Sequence, residues 1–274
     1  MSLPDAIAGA AVVGRRRVPG GDINDAYAVE LADGRRAFVK TRSDPAPGEY
    51  AAEAAALRWL AEPGAVRLPA VLEVGERFLA LEWIEAGRLS ARGEEELGRG
   101  LARLHAAGAP AFGLRSERLR IGPLTFDVTP ADDWPSFYAE RFIRPLVRRA
   151  RLASPAAVER VCDRMADLAG PAEPPARLHG DLWSGNVMAD AGGRPWVIDP
   201  AAYGGHREVD LAMLRLFGAP PARFMAAYEE ERPLADGWQD RVALWQLFPL
   251  LVHAVLFGGG YGASAERAAR RYVG

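Results

Sequence analysis

The first 85 residues carry the short apolar runs and the alternation that are typical of β-strands. This pattern predicts strands at 12–13, 26–31 and 37–41. Asp33-Gly34 lies between the second and third of these segments and predicts a hairpin turn. Lys40 therefore falls near the end of the third predicted strand.

An alanine-rich helix is predicted over residues 49–62, where Pro63-Gly64 ends it. Glu53 shares the apolar stripe of this helix, which is formed by Tyr50, Leu57 and Leu60. Because a carboxylate on an apolar face loses its hydration, Glu53 requires a cation as partner. Glu49 lies one helical turn away and is an alternative member of that pair.

The chain changes character after Ile84. Two further strands, at 71–74 and 78–84, complete the strand-rich part, whereas most of the remainder has helical periodicity. The sequence therefore predicts an α+β protein of two lobes. Residues 1–85 would form a small antiparallel sheet with one helix, and residues 86–274 a larger, mainly helical lobe.

Composition narrows the class of partner. The formal net charge is −2, so no excess of basic residues favours nucleic acid. Cys162 is the only cysteine, which excludes an internal disulfide. The apolar run 242–257 is too short for a membrane span, and no secretory leader is evident. We expect a cytoplasmic protein without nucleic-acid or membrane partners.

Lysine and asparagine are nearly absent from the chain. Of the 34 basic residues only Lys40 is a lysine, and Asn24 and Asn186 are the only asparagines. A compact ammonium performs tasks that a planar guanidinium cannot, so Lys40 is a candidate functional residue. Asn24 is also well suited to an ordinary turn.

The segment LHGDLWSGN, residues 178–186, carries the clearest chemical signal. It places Asp181 five residues before Asn186, and Asp199 follows after a predicted hairpin. Phosphoryl transfer requires a base, oxygen ligands for Mg²⁺ and a cation on the phosphates. We predict that Asp181 is the base and that Asn186 and Asp199 bind Mg²⁺, while Lys40, held by Glu53, contacts the phosphates of ATP.

These motifs resemble those of the fructosamine kinases, or ketosamine 3-kinases, within the aminoglycoside phosphotransferase and choline kinase-like group of the protein-kinase-like fold. The similarity rests on LHGDLWSGN, on DDWPSFYAERF at 132–142 and on DPAAYGGHREVDLAM at 199–213, and it extends over nearly the whole chain. It implies ATP-dependent phosphorylation of the 3-hydroxyl of a ketosamine, either a small molecule or a protein-bound adduct. The phosphorylated adduct decomposes, so the activity repairs glycated amines.

The resemblance also implies roles for residues outside the central motif. Glu82 to Ile84 would meet adenine, and Asp210 would steady the catalytic loop, as would His179. Gly20-Gly21 and Asn24 would cover the phosphates, although this segment lacks the G-x-G-x-x-G motif of protein kinases. The motifs His179-Gly180-Asp181 and Asp199-Pro200 also depart from the protein-kinase forms, which favours a small-molecule acceptor.

Four residues are candidates for contact with the acceptor. Trp183 would either stack on the sugar or pack the loop, and Asp133 (or Asp132) could attract a substrate amine. The resemblance places His206 and His253 on the acceptor side. Two alternatives remain open at this stage: another acceptor (an aminoglycoside, choline or a simple sugar), and a non-catalytic nucleotide-binding module.

Overall fold

A six-stranded antiparallel sheet forms the N-terminal lobe of the computed structural model, which describes residues 3–18, 24–114, 116 and 118–273. The order of its strands is β1-β2-β3-β4-β6-β5, and helix α1 connects β4 to β5. The strands are β1 (Ala6–Ile7), β2 (Ala10–Val18), β3 (Asp25–Leu31), β4 (Arg36–Thr41), β5 (Val71–Val74) and β6 (Phe78–Glu82), and α1 is Glu49–Ala61.

Strand β4 lies in the middle of this sheet, which fixes the position of Lys40. Lys40 pairs with Ala26 of β3 on one side and with Leu79 of β6 on the other. Helix α1 buries Tyr50 and Leu57 against the sheet, whereas Leu60 of the same apolar stripe is buried against Leu97 and Leu101 of the C-terminal lobe.

The predicted strands and helix of this lobe are confirmed, with small differences. The structure adds the two-residue strand β1, which is too short to produce a periodic signal. Strand β6 ends at Glu82, so 83–84 already belong to the connection between the lobes. The domain boundary at residue 85 stays a prediction; α2 begins six residues later, at Ala91.

The C-terminal lobe is mainly helical, which confirms the α+β class. Its helices are α2 (Ala91–Ala106), α3 (Trp134–Phe137), α4 (Arg144–Val147), α5 (Ala156–Asp163), α6 (Met165–Leu168), α7 (Glu208–Leu214), α8 (Ala222–Glu231), α9 (Trp238–Trp245), α10 (Leu247–Phe257) and α11 (Tyr261–Val273). Three short antiparallel pairs complete it: β7 (Arg118–Ile121) with β8 (Leu124–Asp127), β9 (Ala176–Leu178) with β12 (Tyr203–Gly205), and β10 (Val187–Ala189) with β11 (Pro195–Val197).

The helical stretch 134–147 is interrupted. A wider, π-helical turn, Tyr138–Ile143, separates α3 from α4. Pro145 is the second residue of α4 and has no backbone N–H to donate to the preceding turn, which explains the change of helical register there.

The apolar segment Trp238–Phe257 is the one stretch of the described chain long and apolar enough to cross a membrane, but 61% of its most apolar window is buried. Leu244, Leu247 and Leu251 are completely buried in the largest hydrophobic cluster of the C-terminal lobe. The segment therefore packs as core.

Candidate active site

Lys40 lies between two carboxylates that come from different lobes. Its Nζ is 2.6 Å from Glu53 Oε1 and 2.5 Å from Asp199 Oδ1, and the residue is only 6% exposed. Burial by itself would lower the pKa of Lys40, but the charges of Glu53 and Asp199 outweigh it and raise that pKa. The ammonium is therefore held in its charged form.

Glu53, rather than Glu49, forms the ion pair with Lys40. Glu49 instead accepts from the backbone N–H of Ala46 at 2.9 Å and lies 3.3 Å from Arg42. Burial raises the pKa of Glu53 and outweighs the opposing effect of Lys40.

Asp210 of α7 anchors the backbone of the loop 179–186, which is called the catalytic loop below. Its two carboxylate oxygens accept the backbone N–H groups of His179, at 2.8 Å, and Gly180, at 2.9 Å. His105 Nε2 lies 3.2 Å from the same carboxylate, and His179 Nε2 lies 3.0 Å from the carbonyl oxygen of Ile198. These contacts place His179 and Asp210 where supports of the loop would lie.

Gly180 is required by the shape of this loop. Its φ is 81°, and a Cβ there would lie 2.0 Å from the carbonyl oxygen of Ala201. An arginine, as in the His-Arg-Asp of protein kinases, would therefore not fit at this position.

Asn186 joins the two ends of the loop. Its Nδ2 donates to the Asp181 carbonyl oxygen at 2.8 Å and to Asp181 Oδ2 at 3.1 Å. The backbone carbonyl of Asn186 accepts the N–H of Ile198 at 3.0 Å, so the β10–β11 hairpin brings Asp199 back to the end of the loop. Because both amide hydrogens face Asp181, the side-chain oxygen Oδ1 is left for another partner.

The carboxyl group of Asp181 has an unusual proton affinity. Burial raises its pKa to about 7, with further raising by the negative charges of Asp199 and Asp210, although the hydrogen bond from Asn186 opposes the change. A pKa near neutrality is suited to a group that takes up a proton during a reaction.

A cavity of about 740 Å³ brings these groups together. Its lining includes Lys40, Glu53, Asp181 and Asp199 together with the β7–β8 hairpin. Sequence reasoning missed this hairpin, which contributes Arg118 and Arg120. Its signal was the Gly122-Pro123 turn between short alternating segments.

Other predicted site residues lie farther from the chemistry or have structural contacts. Gly20 and Gly21 lie outside the described residues. Asn24 lines the cavity and accepts a hydrogen bond from the hydroxyl of Tyr50 at 3.0 Å. Glu82 accepts the N–H of Ala70 at 3.1 Å, and Ile84 lies in the connection that follows β6.

None of the four acceptor candidates is among the residues that line the cavity. Asp133 caps α3 by accepting the N–H of Ser136 at 2.8 Å. His206 is 3% exposed and stacks on Trp245 with ring centroids 5.4 Å apart. The contact of both with substrate stays a prediction.

The other two acceptor candidates, Trp183 and His253, share one aromatic neighbour. Each is in edge contact with Phe217, with ring centroids 5.6 and 5.5 Å apart. Neither lines the cavity below α1.

Comparison with known proteins gives a consistent result. The family model for fructosamine kinase matches residues 5–273. A protein of Synechocystis described as a probable ketoamine kinase is 37% identical, covering 92% of this chain and 88% of its own. A crystal structure from Thermobifida fusca assigned to a fructosamine-3-kinase is 44% identical, with a TM-score of 0.91 and coverage of 97% and 96%. The macrolide 2′-phosphotransferase of Brachybacterium faecium has a TM-score of 0.65 at 19% identity, with coverage of 96% and 93%, and shares the fold alone.

Proposed function

The chain belongs to the fructosamine kinase family, and from this premise we propose that it transfers the γ-phosphate of ATP to the 3-hydroxyl of a ketosamine. The observation that carries the proposal is the convergence of Lys40, Asp181 and Asp199 on one cavity. The acceptor would be a small molecule or a protein-bound adduct, and the activity a cytoplasmic repair of glycated amines.

Asp181 is the proposed catalytic base. Its carboxylate borders the cavity, and Asn186 holds it in a fixed orientation through Oδ2. Because its pKa is about 7, the carboxyl group can accept the hydroxyl proton while the oxygen attacks the γ-phosphorus in line with the leaving ADP.

The oxygen atoms next to Asp181 fit a Mg²⁺ ion. The contacts of the Asn186 side chain with Asp181 use its Nδ2 atom, which leaves Oδ1 for a metal ion. Asp199 contacts Lys40 through Oδ1 and has Oδ2 left for the same ion. Mg²⁺ binds through one or two such side chains together with phosphate oxygens. When bound, the ion would neutralise charge on the β- and γ-phosphates.

Lys40 is the proposed phosphate contact. Glu53 holds the ammonium of Lys40 in position through a 2.6 Å contact, so the α- and β-phosphates would approach a cation that is already in place. The adenine would meet the backbone between Glu82 and Ile84, and Gly20-Gly21 with Asn24 would cover the phosphates.

The substrate proposal is tested by measuring ATP consumption with four acceptors: fructosyl-lysine, ribulosyl-lysine, an aminoglycoside and choline. We expect turnover of the two ketosamines, a phosphate on O3 by phosphorus NMR, and release of lysine when the product stands. Asp181→Asn serves as the inactive control. Turnover of an aminoglycoside or choline, with none of either ketosamine, would contradict the substrate assignment and leave the phosphotransferase in place.

A further inference from the structure

A patch of aromatic side chains lies beside the catalytic loop. In the described part of the chain four large hydrophobic side chains are exposed, and three of them, Trp183, Phe217 and Phe257, belong to this patch. Their exposed fractions are 37%, 48% and 63%. Contiguous exposed apolar surface of this kind marks binding sites in soluble proteins, whereas single exposed residues need no explanation.

The patch is continuous through ring contacts. Phe217 meets Trp183 at 5.6 Å and His253 at 5.5 Å between ring centroids, and His253 meets Phe257 at 5.5 Å and Tyr261 at 5.0 Å. We call these five residues the aromatic shelf.

Three further segments, besides the loop that carries Trp183, build the aromatic shelf. Phe217 follows α7, His253 and Phe257 lie on the last turns of α10, and Tyr261 begins α11. Gly258 and Gly259 have φ values of 67° and 61°, which only glycine adopts without strain, and this turn brings Tyr261 back against His253.

The aromatic shelf begins at the catalytic loop. Trp183 lies two residues after Asp181, and the backbone N–H of Trp183 donates to the backbone carbonyl oxygen of Asp181 at 3.2 Å. The indole lies across Gly185, where an added Cβ would come within 2.2 Å of the ring. A molecule whose hydroxyl reaches Asp181 can therefore extend onto these rings.

The rings suit a cation as well as a carbon chain. Aromatic faces attract ammonium groups, and the cation–π pairs found among the described residues use other rings, those of Trp59, Trp83 and Trp238. His253 Nδ1 donates to the Pro249 carbonyl oxygen at 2.6 Å, so in the neutral ring Nε2 is an acceptor. The aromatic shelf thus offers ring faces together with one nitrogen lone pair.

We infer that the aromatic shelf binds the protonated secondary amine of the ketosamine together with the first carbons of the group attached to it. This inference rests on the proposed function. In a ketosamine only C2 and C1 separate the amine nitrogen from C3, so an O3 atom at Asp181 leaves the amine close to the loop that carries Trp183. Asp133, the carboxylate that the sequence offered for this amine, already caps α3.

The experiment compares an amine with its neutral analogue. The acceptors are 1-deoxy-1-butylaminofructose and 1-O-butylfructose, which share the chain but differ in charge. The variants are Phe217→Leu and Phe257→Leu, which keep apolar surface and remove the ring, with KM and kcat measured for each acceptor and for ATP. Val13→Ala is a matched control because Val13 is 66% exposed and lies on the sheet of the other lobe.

We expect Phe217→Leu to raise KM for the amine by roughly two- to fivefold, the range of an exposed cation–π contact, and Phe257→Leu, two ring contacts beyond Phe217, to raise it less. KM for the butyl ether, KM for ATP and kcat should stay within twofold of wild type, as should every value for Val13→Ala. An equal rise for the amine and the ether would overturn recognition of the cation.

The acceptor could instead run below α1, past the arginines of the β7–β8 hairpin. Arg120→Ala tests this route: a rise in KM for the amine with Arg120→Ala, and none with Phe217→Leu, overturns the inference. A change of oligomeric state in Phe257→Leu with unchanged KM overturns it as well, because the patch would then join two copies of the chain. If wild type phosphorylates neither fructosyl-lysine nor the butyl amine, the proposed function fails and this inference fails with it.

Discussion

Replacing Asp181 by asparagine should lower activity and raise the stability of the metal-free protein at the same time. The carboxyl group is largely buried, and its nearest charged neighbours include the negative Asp199 and Asp210. Asparagine has the same shape without the charge, so it removes the unfavourable ionised form. The same change removes the proposed base, and we expect kcat to fall by about 10²-fold or more.

The size of the stability gain follows from the pKa. Burial raises the pKa of Asp181 from 3.8 to about 7, and each pKa unit corresponds to about 1.4 kcal/mol. Complete ionisation would therefore cost the folded protein about 4 kcal/mol. Because the side chain keeps some contact with solvent, we expect a gain of roughly 2–4 kcal/mol in the free energy of unfolding.

The sign of the pH dependence identifies the cause. An acid whose pKa is higher in the folded state binds its proton more tightly there, so folding is favoured below about pH 4 relative to high pH. Wild type should lose stability from this group as pH rises from about 4 through 7, and Asp181→Asn should not. The advantage of the variant is thus expected at pH 8 and should vanish near pH 4.

The assay is urea unfolding of both proteins in EDTA, without nucleotide, at pH 5 and pH 8, beside kcat measured with MgATP. A gain of the same size at both pH values would show that the charge of Asp181 is not its origin. A less stable variant at pH 8, or one that retains full kcat, would refute the reasoning about this carboxyl group.

Three further substitutions test the surrounding contacts. Lys40→Arg should lose most activity although it keeps the charge, because a planar fork does not fit between two carboxylates at 2.5 and 2.6 Å; protection of Lys40 by MgATP from an acyl-phosphate probe checks the site, and full activity of the variant would disprove it. Asp199→Asn should raise the Mg²⁺ concentration needed for half-maximal residual turnover, and an unchanged requirement would remove Asp199 as a ligand. Arg241→Ala should destabilise the protein by about 3–5 kcal/mol in urea unfolding, because it leaves Glu208 buried without its partner. The double variant Glu208→Leu/Arg241→Met should recover part of this loss, and equal stability of the single and double variants would contradict the explanation.

Local chemistry made much of the N-terminal lobe predictable. The strands alternate, the turn residues lie where the hairpins need them, and Glu53 stands out on an apolar stripe because it requires a cation. The only lysine of the chain, Lys40, is the cation that pairs with it. Its second contact, with Asp199, joins residues 159 positions apart and could not be derived from periodicity.

The acceptor side was less predictable because its walls come from distant segments. Asp133 looked available in the sequence, yet an aspartate before Trp134-Pro135 is also a typical helix cap, and the structure shows the cap. Phe217 and Phe257 carry no pattern that separates them from core residues. Only the folded arrangement shows that both are exposed. It also shows that Phe217 contacts Trp183 and that Phe257 is connected to Phe217 through the ring of His253.

Asp181 in the loop and Asp210 on α7 show how the surroundings of one residue type can suit it to two proposed tasks. Burial by itself would raise the pKa of both. Asp210 also contacts His105 and accepts two backbone N–H groups, and these contacts lower its pKa below the usual value. Asp181 has one such donor, Asn186, and its pKa stays near 7. Since a group that anchors a loop must stay ionised while a base must exchange its proton, the number of donors around each carboxylate agrees with the two proposed tasks.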